Sequence, residues 1–121
     1  MKPRIVEPLS IDMSTEAGEA VLTVNGRVTI DSSPLLRDRL LAILLQEPPP
    51  ALTIDLTAVP HIDGSGLATL VEALKFARAV KTKFRLRLQE RPLYLLQVTG
   101  LLQLFDASPE ATAWRVSQDD A

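Results

Sequence analysis

The sequence predicts a single α/β domain, in which helices pack on a central mixed sheet and the elements follow the order β-β-α-β-α-β-α-β. The first observation is that short segments typical of strands alternate with longer segments of helical periodicity. The second is the composition: of 121 residues, 46% are hydrophobic and 23% charged, as in ordinary globular domains. We expect residues 9–117 to form the domain, residues 1–8 a loose lead-in and residues 118–121 a frayed tail.

The first two strands are predicted to form an antiparallel hairpin. Residues 9–14 alternate apolar and polar side chains, with the period of two that strands show. The segment Thr15-Glu-Ala-Gly-Glu19 is typical of a turn. Residues 20–25 then have the pattern of a second strand, which Gly26 closes.

The first helix is predicted to begin in the segment Asp31-Ser-Ser-Pro34. Ser33 is the expected N-cap and Pro34 the first helical residue, because serine is a favoured cap and the fixed φ of proline suits the first turn. Apolar residues follow at helical spacing, and Glu47-Pro-Pro-Pro50 ends the helix. We interpret the three prolines as a stiff connector, since a proline-rich recognition peptide normally lies in a longer disordered tract.

The third strand and the second helix form the centre of the predicted domain. Residues 52–56 are a short strand with apolar residues on both faces, as expected in a covered sheet centre. Residues 66–80 fit a helix with a wide apolar stripe, while Glu72, Lys75 and Arg78 face outward.

The last elements repeat the alternation of strand and helix. Residues 84–88 alternate strictly, which predicts a strand with one polar face. Residues 90–98 predict a third helix, with Gly100 as its stop. Residues 101–105 are expected to pack after it, and residues 113–116 to form a short last strand. Strands separated by a helix are expected to run parallel.

The loop Asp63-Gly-Ser-Gly66 places a carboxylate and a hydroxyl at the start of the second helix. Exposed amides and the helix dipole favour an anion there, which can be a side-chain cap, a bound anion or a covalent phosphate. Capping is the simpler interpretation: either Asp63 or Ser65 is a suitable cap, and Gly64 and Gly66 suit a tight turn. The functional alternative is phosphorylation of an exposed Ser65, which would make a binding switch.

Catalysis and metal binding are disfavoured by the residues present. A triad of Ser65, His61 and either Asp63 or Asp55 is conceivable, but nothing in the spacing demands it and Gly-x-Ser-x-Gly is absent. The chain has one histidine and no cysteine, so its composition disfavours a transition-metal site. No phosphate-cradling loop is present either. We therefore predict a protein that is not an enzyme and that carries no cofactor or metal.

Charge and hydropathy limit which partners and which cellular location the sequence predicts. A net charge of −2 without a basic, aromatic-rich cluster argues against nucleic acid. No segment approaches the apolar length that spans a bilayer, and the N-terminus lacks the apolar run of a signal peptide. The sequence thus predicts no direct membrane insertion and a cytoplasmic location.

Four segments carry a resemblance to a known family: Leu52-Thr-Ile-Asp-Leu56, Val59-Pro-His-Ile-Asp-Gly-Ser-Gly-Leu67, Asn25-Gly-Arg-Val-Thr-Ile-Asp31 and Val98-Thr-Gly-Leu-Leu-Gln-Leu-Phe105. Together they resemble the STAS domain, the module shared by anti-sigma-factor antagonists and the cytoplasmic tails of sulfate transporters. The resemblance covers roughly residues 9–117 and implies the STAS fold.

In anti-sigma antagonists the resemblance implies a partner-switching cycle. The unphosphorylated protein binds an anti-sigma factor that is also a serine kinase, and phosphorylation at the loop breaks the complex. The family's phosphoacceptor directly follows the loop aspartate, a position that Gly64 occupies here. Ser65 follows one residue later and is the candidate phosphorylation site. Typical antagonists also carry an aspartate near the kinase-docking loop, where this chain has Thr29 and, two residues on, Asp31.

The resemblance leaves more than one partner open. The first is the anti-sigma factor/serine kinase; the alternative is the permease or ATPase of a lipid-transporting ABC system, to which the domain binds as an adaptor without phosphorylation. Nucleotide binding at the loop is a weaker third hypothesis, since no aromatic residue lies near the loop in sequence. We expect a monomer or weak homodimer, with a partner-binding face formed by Thr29, Asp31, Asp63, Gly64, Ser65, Gly66 and Leu67.

Overall fold

The computed structural model describes residues 9–101 and the backbone of residues 113–115. Its elements are β1 (Ser10–Glu16), β2 (Glu19–Asn25), α1 (Ser33–Gln46), β3 (Ala51–Ala58), α2 (Gly64–Ala79), β4 (Lys83–Leu88), α3 (Glu90–Val98) and β5 (Ala113–Arg115). The predicted α/β class and the predicted order are confirmed. The lead-in at residues 1–8, the packing of residues 102–105 and the tail at residues 118–121 lie outside the described residues.

The five strands form one mixed sheet in the order β1-β2-β3-β4-β5. β1 pairs antiparallel with β2, whereas β2, β3, β4 and β5 pair parallel with one another. The parallel pairing confirms the prediction for strands that a helix separates. It also places the carboxyl ends of β2 and β3 at the same edge of the sheet, where both strands pass into loops that lead to helices.

The hairpin is tighter than the sequence predicted. The predicted turn of five residues is reduced to Ala17 and Gly18, because Glu16 and Glu19 still pair across the two strands. Both turn residues have positive φ, 53° for Ala17 and 82° for Gly18. Two-residue hairpins use such turns because their twist matches that of the flanking strands. Alanine seldom adopts this conformation, so the sequence favoured a longer turn.

α1 begins with a different cap from the predicted one. Ser32 is the N-cap, Ser33 is the first helical residue and Pro34 the second. The carbonyl of Ser32 accepts the amides of Leu35 and Leu36, at 3.1 and 3.3 Å, and so opens the helix. The predicted cap, Ser33, is therefore wrong by one residue. The predicted end is confirmed, since α1 stops at Gln46, two residues before the prolines.

The hydrophobic core lies between the helices and one face of the sheet. Leu22, Ile54 and Leu86 occupy one row of the register across β2, β3 and β4, and all three are fully buried. The inward side chains of the three helices belong to the same cluster: Leu36, Leu40, Leu44, Leu70, Ala73, Leu74, Ala77 and Leu96. Removing water from this apolar surface is the main force that holds the helices on the sheet.

On the other face of the sheet β4 is polar, as its strict alternation predicted. Arg85 pairs with Glu19, and Arg87 pairs with Glu16 at 3.2 Å and with Asp55 at 3.6 Å. These side chains are partly exposed, so each pair contributes modestly to stability. The two faces together fix the register, since a slip by one residue would bury the charges.

Candidate functional site

Two loops at the carboxyl edge of the sheet form one unit. The first loop (residues 26–32) joins β2 to α1, and the second loop (residues 59–63) joins β3 to α2. Val28 and Ile62, both buried, form an isolated parallel bridge between them. The amide of Val28 donates to the carbonyl of His61, and the amide of Asp63 donates to the carbonyl of Val28, both at 3.0 Å. The sheet pairing thus continues into the loops and holds them side by side.

The Asp63 carboxylate is the centre of this unit. Its Oδ1 accepts the amides of Ser65 and Gly66, at 3.0 and 3.1 Å, and the hydroxyl of Ser65 at 2.6 Å. Its Oδ2 accepts the amide of Ile30, in the first loop, at 3.0 Å. Asp63 therefore caps α2 and also ties the first loop to the helix start. Of the two capping alternatives, the structure selects Asp63, and α2 begins at Gly64, two residues before the predicted start.

The charge of Asp63 is stabilised by the same contacts. The hydrogen bond from the Ser65 hydroxyl is the main cause that lowers the pKa of Asp63 below its usual value. Partial burial opposes the shift, and the amides of Gly66, Ile30 and Ser65 add to it. Donors to an ionised carboxylate favour the charged form, so the network is strongest when Asp63 is ionised.

The Ser65 hydroxyl both donates and accepts a hydrogen bond. It donates to Asp63 and accepts from the hydroxyl of Ser33, the buried first residue of α1, at 3.2 Å. Ser65 is half-buried, while Gly64, which the family resemblance places at the expected phosphoacceptor position, is exposed. Phosphorylation of Ser65 stays a prediction, and it would require the hydroxyl to leave both partners.

Gly66 and Gly64 have different surroundings although both are in the first turn of α2. A Cβ on Gly66 would lie 2.6 Å from a side-chain methyl of Ile62 and 2.6 Å from one of Val28. A Cβ on Gly64 would meet nothing within 4 Å. Gly66 thus lets α2 pack directly on the bridge between the two loops, and Gly64 leaves the surface above the helix start open.

The other predicted site residues surround this centre. The Thr29 hydroxyl accepts the amide of Asp31 at 3.3 Å, and the Asp31 side chain is exposed. Leu67 is largely buried, at 7% exposure, and lines a shallow apolar groove of about 520 Å³. Residues of α2 from Gly64 to Lys75 line the groove together with Thr99 and Leu101. The structure therefore brings all seven predicted residues to the two loops and the first turn of α2.

The geometry is that of a capped helix start. His61 contributes its backbone carbonyl to Val28, while the Ser65 hydroxyl is bonded to Asp63 and Ser33. Within residues 9–101 and 113–115, no three histidine, cysteine or carboxylate side chains are grouped so as to hold a metal ion. In the same part of the chain, no helix has the length and apolar character needed to cross a membrane.

Three residues of the site were not singled out from the sequence. Val28 and Ile30 lie in the segment Asn25–Asp31 that carries the family resemblance, but neither is among the predicted partner-binding residues, and Ser33 is predicted only as a cap. The sequence indicates only weakly that Ile30 faces solvent: it lies between the polar Thr29 and Asp31 and belongs to no apolar stripe of a helix. Nothing in the sequence indicates the contact of Ser33 with Ser65, because it joins residues 32 positions apart.

The fold and the site define the class of the protein: an α/β domain built on one mixed sheet, with a capped helix start at the sheet edge. The chain belongs to the STAS domain family, whose model matches residues 10–113. The predicted family is thereby confirmed.

Solved structures with the same fold include proteins of more than one kind. An anti-sigma factor antagonist from Mycobacterium paratuberculosis is 23% identical, with a TM-score of 0.76 over 92% of this chain and 89% of that one. An anti-sigma-factor antagonist (STAS) domain protein from Planctomyces limnophilus is 20% identical, with a TM-score of 0.70 over 89% and 92%. A sulfate transporter family protein from Wolinella succinogenes is 21% identical, with a TM-score of 0.63 over 79% and 76%. At these identities the likeness shows the fold alone.

Proposed function

We propose that the protein is an anti-sigma factor antagonist, which binds an anti-sigma factor with serine kinase activity and is released when Ser65 is phosphorylated. The observation that carries the proposal is that one carboxylate, Asp63, accepts both the hydroxyl of Ser65 and the amide of Ile30. A chemical change at Ser65 would therefore alter the surface that the two loops present. The proposal places this interaction in the cytoplasm and the protein in a monomeric or weakly dimeric state.

The switch follows from the chemistry of a phosphate at this position. A phosphoserine has no hydroxyl proton to donate to Asp63 and carries nearly two negative charges at neutral pH. The Ser65 oxygen lies 2.6 Å from Oδ1, so the phosphate would repel the carboxylate. It would also compete with Asp63 for the amides at the start of α2, where an anion is favoured. Asp63 would lose its cap bonds and its hold on Ile30 together.

A second candidate function is that of an adaptor bound to the permease or ATPase of an ABC transporter. The observation in its favour is the exposed Gly64, which places no hydroxyl at the position where the family resemblance expects the phosphoacceptor. In this alternative the Ser65 hydroxyl serves only the cap network, and the same loops form a constitutive docking face.

Affinity capture separates the two candidates. The tagged chain is used to isolate partners from a lysate of the cells that make it, and the bound proteins are identified by mass spectrometry. We expect a serine-kinase-type ATPase, which on addition of Mg-ATP phosphorylates Ser65, as mapped on the isolated phosphopeptide. An ABC permease or ATPase without kinase activity would instead establish the adaptor function.

Variants then test the switch with the purified partner. Ser65→Ala should abolish phosphorylation, and Ser65→Asp should abolish binding through repulsion of Asp63. Ser14→Asp is the matched control, since it adds the same charge on the exposed edge strand β1, toward the hairpin end of the sheet. Undiminished binding of Ser65→Asp, with phosphate found elsewhere or nowhere, would contradict the proposed switch.

A further inference from the structure

Ile30 is an exposed apolar side chain on a loop that is otherwise well held. It is 72% exposed, the highest value among the large apolar side chains of the described residues. A hydrophobic residue just before a helix often packs back on the first turn as a staple. Ile30 does not fill this role: the staple position directly before the cap Ser32 belongs to Asp31, and Ile30 points to solvent. Its exposure therefore has no explanation in the packing of α1.

The backbone around Ile30 is fixed by hydrogen bonds. Its own amide donates to Asp63 at 3.0 Å. The Ser32 hydroxyl donates to the carbonyl of Arg27 at 2.6 Å and accepts the amide of Thr29 at 3.0 Å, which closes the turn. A residue displayed on such a loop loses little backbone freedom when it is bound, so binding at this point costs less.

From these contacts we infer that Ile30 is the apolar anchor of the partner-binding face, inserted into an apolar pocket of a protein partner that carries a basic side chain at the rim. The basic rim is argued from Asp31, which follows directly, is exposed and forms no described ion pair. Arg27 is the one basic residue of the first loop and lies at its other end, four positions before Asp31. This inference rests on the proposed function, since it assigns the contact residue of the same face.

The expected role is that of a specificity determinant. Burying most of an isoleucine side chain provides a large share of the free energy of a small interface. Ile30→Ala should therefore raise the Kd for the partner by about tenfold to a hundredfold. The variant should unfold at the same denaturant concentration as the wild type, because the side chain is 72% exposed and supports no core contact.

Two experiments test the assignment. In the first, Ile30 is replaced by the photo-cross-linking residue p-benzoylphenylalanine in the full chain, and the adduct formed in cells is identified by mass spectrometry. Leu45, near the other end of α1 and 56% exposed, is replaced in the same way as the control. We expect an adduct at position 30 and none at position 45, with the cross-linked partner segment containing apolar residues beside a lysine or arginine.

In the second, Kd is measured for Ile30→Ala, Leu45→Ala and Asp31→Asn with the purified partner that the wild-type chain recovers. Leu45→Ala should change Kd by no more than about twofold. Asp31→Asn should slow association and weaken its salt dependence, because it removes the charge that steers the basic rim.

The outcomes separate the anchor from the proposed function. If a kinase is recovered and phosphorylates Ser65 but Ile30→Ala binds it as tightly as the wild type, the anchor is wrong and the function stands. If position 30 cross-links a single protein of another kind, and Ile30→Ala weakens that complex, the anchor stands and the function is wrong. An adduct only with a second copy of this chain would overturn the anchor.

Discussion

The two loops at the carboxyl edge of the sheet each follow a strand and lead into a helix, but they differ in the residue that precedes the helix. The second loop ends in Asp63, whose side chain caps α2, and its apolar residues Val59 and Ile62 are buried. The first loop ends in Ser32, whose side chain gives no cap bond to α1 and instead closes the loop on itself. Ile30 and Asp31 are exposed there. The second loop thus holds the site in place, and the first loop exposes side chains to solvent.

The largest expected effect comes from filling the space between the second loop and its helix. Gly66→Ala would place a Cβ 2.6 Å from methyl groups of Ile62 and Val28, so either the helix start or the bridge must shift. We expect the free energy of unfolding to fall by about 3 kcal/mol, as for other overpacked cores, measured by urea unfolding.

Gly64→Ala is the matched control for this variant. It makes the same change two residues earlier in the same turn, where a Cβ meets nothing within 4 Å. Alanine is the better helix former, so the variant should be neutral or more stable by up to about 1 kcal/mol. Equal losses in the two variants would show that the close packing of α2 on the bridge is not what holds the second loop.

The next effect comes from the carboxylate that joins the loops. Asp63→Ala removes the cap and the tie to Ile30 and should cost about 2 kcal/mol. Asp63→Asn keeps an acceptor for the amides of Ser65 and Gly66 but faces the Ile30 amide with an NH₂ group, so we expect a cost of about 1 kcal/mol.

Hydrogen exchange of single amides distinguishes these two variants. In Asp63→Ala the amides of both Gly66 and Ile30 should exchange faster than in the wild type. In Asp63→Asn only the Ile30 amide should do so. If the Ile30 amide stays protected in both variants, then Asp63 does not hold the first loop in place.

The pH dependence of stability provides a third test of the same carboxylate. Hydrogen bonds, first from Ser65, lower the folded-state pKa of Asp63 below its unfolded value of about 3.9. Its contribution is therefore complete above the unfolded pKa and is lost as the pH falls through the folded one. The stability advantage of the wild type over Asp63→Asn should be constant near about pH 7 and should shrink below about pH 4.

Asp31→Asn controls for the general effect of removing a surface carboxylate, because Asp31 is exposed and lies outside the hydrogen bonds of Asp63. If the stability advantage of the wild type over Asp63→Asn grew as the pH fell, that result would contradict a lowered pKa for Asp63.

Much of this architecture is predictable from the sequence because it depends on local periodicity. The strict alternation in β4 gives the two sheet faces, and β4 begins only one residue before its predicted start. The prediction of apolar residues on both faces of β3 is wrong, because Leu52, Ile54 and Leu56 face the core whereas Thr53 and Asp55 lie beside the arginines of β4 on the other face. The site was predicted because Asp63 and Ser65 stand where a strand passes into an amphipathic helix. That much follows from residues close in sequence.

The details that the sequence could not settle depend on contacts between distant residues. Asp63 and Ser65 are both capable caps, and the cap is Asp63 because α2 begins at Gly64, which makes Ser65 the second helical residue. The Ser65 hydroxyl instead bonds Asp63 and Ser33, and the contact with Ser33 joins residues distant in sequence. The start of α1 was misplaced because Ser32 and Ser33 are chemically the same. The bridge that orients Ile30 joins Val28 to Ile62 across 34 positions of sequence and leaves no local pattern.

The smallest expected loss of stability comes from a change in the first loop, and it tests whether this loop contributes to the stability of the fold. Ser32→Ala removes the hydroxyl that bonds Arg27 and Thr29 but takes no cap bond from α1, so the loss should be about 0.5–1 kcal/mol. Backbone chemical-shift changes should stay within the first loop and leave the amides of α2 unchanged. A loss as large as that of Asp63→Ala would mean that both loops support the fold. A small loss accompanied by weaker partner binding would mean that the turn around Ile30 is built for recognition.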